Sequence, residues 1–591
     1  MEFSKLCKVF DTLEETRSRL ELTKLLAQLF EEVDKSEIKK VVYLCQGRIS
    51  PAHTGIELGM GEKLAEQAIS LASGSKVEDV EKSYRKTGDL GDTAEQLLKN
   101  RTQRSLAHTA LTVLKVYDNF YKIATISGTG SQENKIKLLA ELLVNSQETE
   151  SKTIVRFVIG KLRLGIAEAT ILDAFSVMET GTKDLRQQLE RPFNLTSDLG
   201  LVAEMFYKEG LKGIEKLKPI PFSPIRPALA ERLLDAEAII EKIGKCAVEA
   251  KYDGFRIQCH KKGNEVKLYS RKQEPMTHMF PDIVGAIREQ IKAKEAIFEG
   301  EAIAFDEATQ TYLPFQTTIT RKRKHGVDEK AKEIPLHLFV FELLYADGVD
   351  YTSQPYEDRR KKLEKMIAPG KIVMPSRIIM VEKPKQLAEF FDECVANGLE
   401  GIIAKDLSAP YTAGARKFAW IKLKRSYQGS LADTLDVVIV GFYRGLGKRT
   451  QFGFGGLLTA IYDDKNDKFR TIAKVGTGFT EEQMAWFNKE LSKLSTKSKP
   501  NNVDSVIEPD IWVQPKMVIT VNADEITRSP THTCGKKEKN GEEKDGEGLA
   551  LRFPRMQQIR EDKNARDATT EKEVIKLYEL QKEKRTEVGE A

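Results

Sequence analysis

The stretch Glu249-Ala250-Lys251-Tyr252-Asp253-Gly254-Phe255-Arg256-Ile257-Gln258-Cys259-His260 decides how the middle of this chain is read. From Phe255 the pattern has a period of two: Phe255, Ile257 and Cys259 alternate with Arg256, Gln258 and His260. Lys262-Gly263-Asn264 makes a turn, and Val266, Leu268 and Ser270 resume the alternation, which signals a β-hairpin. Lys251 stands just before the tight-turn pair Asp253-Gly254. Glu249 precedes it by two residues, so on a strand both side chains point to one face. A lysine attacks phosphorus only as the neutral amine, so desolvation or nearby cations must lower its pKa. Arg256, beyond the turn, offers such a cation and a bidentate fork for phosphate. By itself, a lysine before Tyr-Asp-Gly is also what an ordinary solvated turn contains.

Working outward from this hairpin, the chain changes character on both sides. Residues 1–215 read as mostly helical: Leu20, Leu22, Leu25, Leu26, Leu29 and Phe30 recur at helical spacing with charges between them. Amphipathic helices are expected at 61–72, 135–144 and 153–164. Pro219, Pro221, Pro224 and Pro227 then mark a linker or an extended lead-in strand, with a boundary near residue 216. The middle region alternates strand candidates (296–305, 336–345) with helical segments (281–292, 385–396), so it is mixed α and β. Beyond about residue 425 the chain turns strand-rich, with apolar runs at 435–443, 456–462 and 513–521 and one helix at 481–494, which suits a small barrel. A charged, glycine-containing insert at 535–547 reads as a loop, and 571–583 as a charged final helix.

The chain has 591 residues, so roughly 100–200 residues per domain gives three or four domains. No apolar run approaches the roughly 18 residues of a membrane span, and the start lacks a basic-then-apolar leader, so a cytoplasmic protein is expected. None of the six cysteines has the two-residue spacing of a zinc knuckle, and no disulfide framework is indicated. A net charge of +5 is weak testimony for nucleic acid, because acidic surface elsewhere masks a basic track.

Further segments follow the lysine in one order. Arg271 ends Leu268-Tyr269-Ser270-Arg271, and Glu301 ends Phe298-Glu299-Gly300-Glu301. Phe341 lies in Phe339-Val340-Phe341-Glu342, and Glu400 opens Glu400-Gly401-Ile402-Ile403-Ala404-Lys405. Lys422 and Lys424 lie in Trp420-Ile421-Lys422-Leu423-Lys424, with Arg416 just upstream. Arg552-Phe553-Pro554-Arg555 and Arg560-Glu561-Asp562-Lys563 come near the end. This ordered set resembles the covalent nucleotidyltransferases. With Lys161-Leu162-Arg163-Leu164-Gly165-Ile166-Ala167-Glu168 in the helical region, the whole chain resembles the ATP-dependent DNA ligases of the archaeal and eukaryotic replicative type. Gly445-Leu446-Gly447-Lys448-Arg449 is no phosphate loop, since no Ser or Thr follows the lysine; a barrel turn is expected there.

The resemblance implies a multidomain α+β fold: a helical DNA-binding domain (1–215), a mixed α/β adenylation domain (216–424) and a C-terminal OB-fold β-barrel (425–591). It implies sealing of nicks in duplex DNA through lysyl-AMP during replication, repair and recombination, with ATP and Mg²⁺ as cofactors. Lys251 is then the nucleophile. Glu249 accepts from the adenine amino group, Arg271 contacts ribose or phosphate and later the nick 5′-phosphate, and Arg416 is a phosphate contact. Glu400 is assigned to metal, and Glu301 is divided between metal and sugar. Phe341 sits in an apolar run, so it is a core strand residue or, as the resemblance implies, the ring that stacks on adenine. Lys422 and Lys424 share one strand face and would neutralise the α-phosphate. The basic segments near the end would orient pyrophosphate. Arg163 is either a phosphate contact or an ordinary helix-surface arginine. Closure on DNA calls for hinges near residues 216 and 425. A monomer is expected. A sliding clamp is a candidate partner, but Gln103-Arg104-Ser105-Leu106-Ala107 lacks the aromatic pair that fills a hydrophobic pocket. The rivals are a capping enzyme or RNA ligase, an NAD-dependent ligase, which would bring zinc cysteines, and a non-catalytic DNA-binding scaffold.

Overall fold

A computed structural model describes residues 1–99, 110–306, 311–313, 315–323, 326–424, 434–445, 447–536 and 547–587. Contacts group the chain into two compact units. The first comprises Met1–Glu231, Asp253–Arg377 and Lys405–Trp420; the second comprises Arg232–Tyr252, Ile378–Ala404 and Ile421–Ala591.

In the first unit the described residues up to Glu215 form helices, from Phe3–Glu15 to Leu199–Glu215. The helix Arg19–Glu32 starts where Ser18 accepts the amide of Glu21, and it buries Leu22, Leu26, Leu29 and Phe30. Phe30 stacks on Phe175 with centroids 4.5 Å apart, and Phe120 on Phe157 at 4.6 Å, within one apolar core. The helix expected over 153–164 instead spans Glu148–Val158. Gly160 adopts a φ of +67°, a conformation that ends helices cheaply only at glycine. Arg163 therefore lies on a connecting segment rather than a helix face, with its guanidinium 3.7 Å from Asp89.

The rest of the first unit is built largely on one sheet, antiparallel except where Leu336–Ala346 pairs in parallel with Val373–Pro375. The strand Phe255–Lys262 forms the expected hairpin with Glu265–Ser270 and turns at Gly263, whose φ is +57°. Its other edge pairs with Glu295–Asp306, placing Arg256 opposite Glu301 and Gln258 opposite Glu299. That strand in turn pairs with Leu336–Ala346. The helix Pro281–Gln290 covers one sheet face over Ile257, Cys259, Phe298, Leu338 and Val340.

In the second unit the strand Cys246–Lys251 pairs antiparallel with Ile378–Val381, Glu249 facing Ile378. Its strand-rich end centres on Leu435–Tyr443, flanked by Gly456–Asp463, Ile511–Val513 and Val518–Asn522. Val437, Ile439, Leu457, Ile472 and Phe487 of the helix Glu481–Lys493 fill its core. The run expected as one strand over 513–521 is two strands, because Pro515 between them has no amide to give a ladder. A short 3₁₀ helix, Gly447–Phe452, follows where a turn is expected. All six cysteines are free thiols and buried. Among the described residues no helix is long and apolar enough to cross a membrane.

Candidate active site

The second unit holds five of the residues expected at the site, Glu249, Lys251, Glu400, Lys422 and Lys424, and joins three of them by hydrogen bonds. Lys251 closes the strand Cys246–Lys251, and the amide of Glu400 donates to its carbonyl at 2.9 Å. The Glu400 carboxylate is bridged: one oxygen accepts from Lys251 Nζ and the other from Lys424 Nζ. Burial opposes ionisation of Glu400, yet the two ammonium groups hold its carboxyl below the usual range. Lys422 and Lys424 are half-buried while Ile421 and Leu423 are buried, as alternation on a strand requires. Gly401 explains why a glycine follows the glutamate. Its φ is +143°, and a Cβ there would stand 2.2 Å from the carbonyl oxygen of Leu423. Glu249 lies on the same strand as Lys251, two residues away, and is buried. The result is a nucleophile candidate and a second ammonium sharing one carboxylate.

The first unit holds the remaining candidates. Arg256 directs its fork at Glu299, with Nε 3.2 Å from one carboxylate oxygen and a terminal nitrogen 2.6 Å from the other. Burial opposes the charge on Arg256, but the Glu299 carboxylate more than offsets it and raises the guanidinium above its ordinary value. Glu299 also accepts from Tyr411 Oη at 2.9 Å and from Gln258 Nε2 at 3.2 Å. Burial, reinforced by Glu299, pushes the Tyr411 hydroxyl well up, so it stays a donor. The Arg256 guanidinium lies over Phe341 at 5.4 Å and Trp420 at 5.5 Å. Lys405, almost fully buried, sits 5.2 Å from the Phe341 ring and 4.5 Å from that of Trp420, and donates to the Phe341 carbonyl at 2.7 Å. Phe341 is half-buried between buried neighbours.

Sequence reasoning missed Glu299, Tyr411 and Lys405, and left Trp420 without a role. The fork of Arg256, expected on a phosphate, is engaged with Glu299. Gly254 is needed at the strand start, because a Cβ there would stand 2.1 Å from the carbonyl oxygen of Ala302. Glu301 is half-buried on the strand facing Arg256. Arg271 is exposed and lines a small cleft with Arg256, Gln258, Glu299 and the proline-rich segment. Arg416 is exposed at the head of the strand Arg416–Lys424.

At the strand-rich end, Asp436 accepts from Arg560 at 2.9 Å and Lys563 at 2.7 Å, so this basic segment is anchored by a carboxylate. Arg552 pairs with Glu525 at 2.6 Å. Among the described residues no three His, Cys, Asp or Glu side chains are grouped to hold a metal ion. Residues 103–107, the candidate clamp segment, lie outside the described residues.

Comparison with known proteins gives the family of the chain. Residues 2–176 match the family described as DNA ligase N terminus, 227–424 the ATP dependent DNA ligase domain, and 450–563 the ATP dependent DNA ligase C terminal region. A probable DNA ligase of Dictyoglomus turgidum is 47% identical over 588 residues, covering 99% of each chain. A DNA ligase of Sulfurisphaera tokodaii is 43% identical over 598 residues, again covering 99% of each. A solved structure designated Pmar-Lig_PreS3 shares the fold at a TM-score of 0.52 and 15% identity, over 94% of this chain and 99% of that one. The ordered motifs, the lysine pair on Glu400 and full-length identity to named ligases agree, and the chain belongs to the ATP-dependent DNA ligase family.

Proposed function

We propose that Lys251 is the residue that carries AMP. Sealing of nicked DNA through an adenylate intermediate is the activity of this family, which uses ATP and a divalent metal. The observation that supports Lys251 is the shared carboxylate: Glu400 bonds both Lys251 and Lys424. Glu400 holds the amine in place and is an acceptor for its proton.

In the first transfer, Nζ of Lys251 forms a bond to the α-phosphorus of ATP as the bond to pyrophosphate breaks. In the second, an oxygen of the nick 5′-phosphate takes AMP and frees the lysine. In the third, the 3′-hydroxyl attacks that 5′-phosphate and AMP leaves. Phe341 offers the adenine a ring face, Glu249 an acceptor for its amino group, and Lys422, Lys424 and Arg416 cations for the phosphate oxygens. Arg256 acts through the Glu299 pair beneath Phe341, and Arg271 holds the nick 5′-phosphate. The bound divalent metal supplies charge neutralisation on phosphoryl oxygens. Glu400, both of whose oxygens already face cations, and Glu301 are the hard oxygen donors that would hold it, and one or two carboxylates suffice when phosphates complete the shell. We place the enzyme in the cytoplasm, working as a monomer, since one chain supplies all three ligase regions.

Incubation with α-labelled ATP and magnesium tests the assignment. Wild type should take up acid-labile label, and Lys251→Ala should take up none. Absence of label on wild type, or its persistence on Lys251→Ala, overturns it. Parallel reactions with ADP, GTP and NAD establish the nucleotide.

A further inference from the structure

The proline-rich segment between the helical region and the hairpin has no regular secondary structure, so its backbone donors and acceptors need partners from elsewhere. They find them at every third residue. The Phe222 amide donates to His260 Nδ1 at 2.9 Å. The Ile225 amide donates to Gln258 Oε1 at 2.7 Å, and Gln258 Nε2 returns a bond to the Ile225 carbonyl at 2.9 Å. Ala228 accepts from Arg256 at 2.8 Å and donates to Tyr411 Oη at 2.8 Å. His260, Gln258 and Arg256 are alternate residues of one strand, so a single strand face reads the segment three residues at a time. The rungs are joined, for His260 Nε2 is 3.0 Å from Gln258 Oε1.

The other side of the segment is bound to the helical region. Ser223 Oγ donates to the Thr196 carbonyl at 2.6 Å, Ser197 Oγ to the Pro224 carbonyl at 2.6 Å, and the Arg226 amide to the Asn194 carbonyl at 2.8 Å. Arg226 pairs with Glu168 and lies 4.3 Å over the Phe193 ring. Phe222 keeps a φ of +74°, a conformation that costs a non-glycine residue strain unless its surroundings enforce it.

We infer that residues 222–228 are a clamped strap rather than a hinge, and that His260 and Gln258 are positioning residues that bind the DNA-holding helices to the cleft of Arg271. The strap forms one wall of that cleft through Pro224, Ile225 and Pro227. A duplex gripped by the helical region is thereby presented at a fixed offset to Arg271. A loosened strap lets the grip and the phosphate site drift apart, and small misplacements of a reacting group are expensive. The inference rests on Arg271 holding the nick 5′-phosphate and on the helical region holding the duplex.

The test uses the full chain with His260→Leu and His260→Asn. Asparagine keeps an acceptor near the Nδ1 position and leucine keeps none. His260→Leu should open the bond after Phe222 to chymotrypsin and leave lysyl-AMP formation within about twofold of wild type. It should raise the KM for nicked duplex by about tenfold, an effect of misplacement rather than of chemistry. His260→Asn should restore protection and most of the KM. Equal losses in lysyl-AMP formation and sealing would mean general damage and overturn the inference, as would a cleavable strap with wild-type KM, or protection unchanged in His260→Leu. Arg271→Ala separates the two claims: if it seals with wild-type KM, the assignment of Arg271 fails, whatever the strap does.

Discussion

At the scale of single residues, the Arg256–Glu299 pair shows what burial does to charge. Glu299 is 1% exposed, so the carboxylate depends on its partners for the solvation it has lost. Arg256→Met should destabilise the protein by about 3 kcal/mol in urea unfolding, because it leaves that carboxylate buried without its counter-charge. Adding Glu299→Gln to the same chain should recover part of the loss, and a double-mutant cycle measures the coupling. Lys251, Lys424 and Glu400 stand in the ordered motifs of the sequence, and the structure brings the three together. The part played by Glu299 was not legible there, because Arg256 stands directly across from Glu301 and reaches its true partner on the diagonal. That choice is made by the packing of Tyr411 and Gln258 around the carboxylate, and Tyr411 arrives from a loop with no periodic signal.

At the scale of elements, glycines fix how closely the site strands approach. Gly401→Ala would press a methyl against the Leu423 carbonyl in a backbone conformation that alanine resists, at a cost of about 2 kcal/mol. Because Leu423 precedes Lys424 and Gly401 follows Glu400, the displacement falls on the lysine–glutamate bridge. Lysyl-AMP formation should drop by about 100-fold, far beyond what the loss of stability explains, as a quenched-flow label assay alongside urea melts would show. Strands and helices of this region were legible because their apolar periods are long: 435–443 was read to the residue. The misjudged boundaries, at Val158 and within 513–521, lie where one backbone feature ends an element that apolar pattern alone would continue. Gly160 does so through its left-handed φ and Pro515 through its missing amide.

At the scale of the whole molecule, stability should depend on acid through buried histidines. Burial, with small help from His53 and Lys267, holds the His260 imidazole down at about 3, and burial holds His532 at about 4. Each unfolded histidine binds a proton below about pH 6.5 while its folded counterpart stays neutral, so stability is full above that pH and falls as pH drops. At pH 5 each should have lost about 2 kcal/mol relative to pH 7.5, visible as a lower melting temperature. His260→Asn should flatten the profile. The six buried cysteines lead somewhere else. Burial raises the thiols of Cys7, Cys259 and Cys534 and pushes Cys45 up to about 12, so thiolate is scarce in the native protein. A maleimide dye should therefore ignore the native chain and mark only a cysteine engineered onto its surface. Distances between two such fluorophores can then be followed through successive turnovers without first stripping the natural sulfur from the protein.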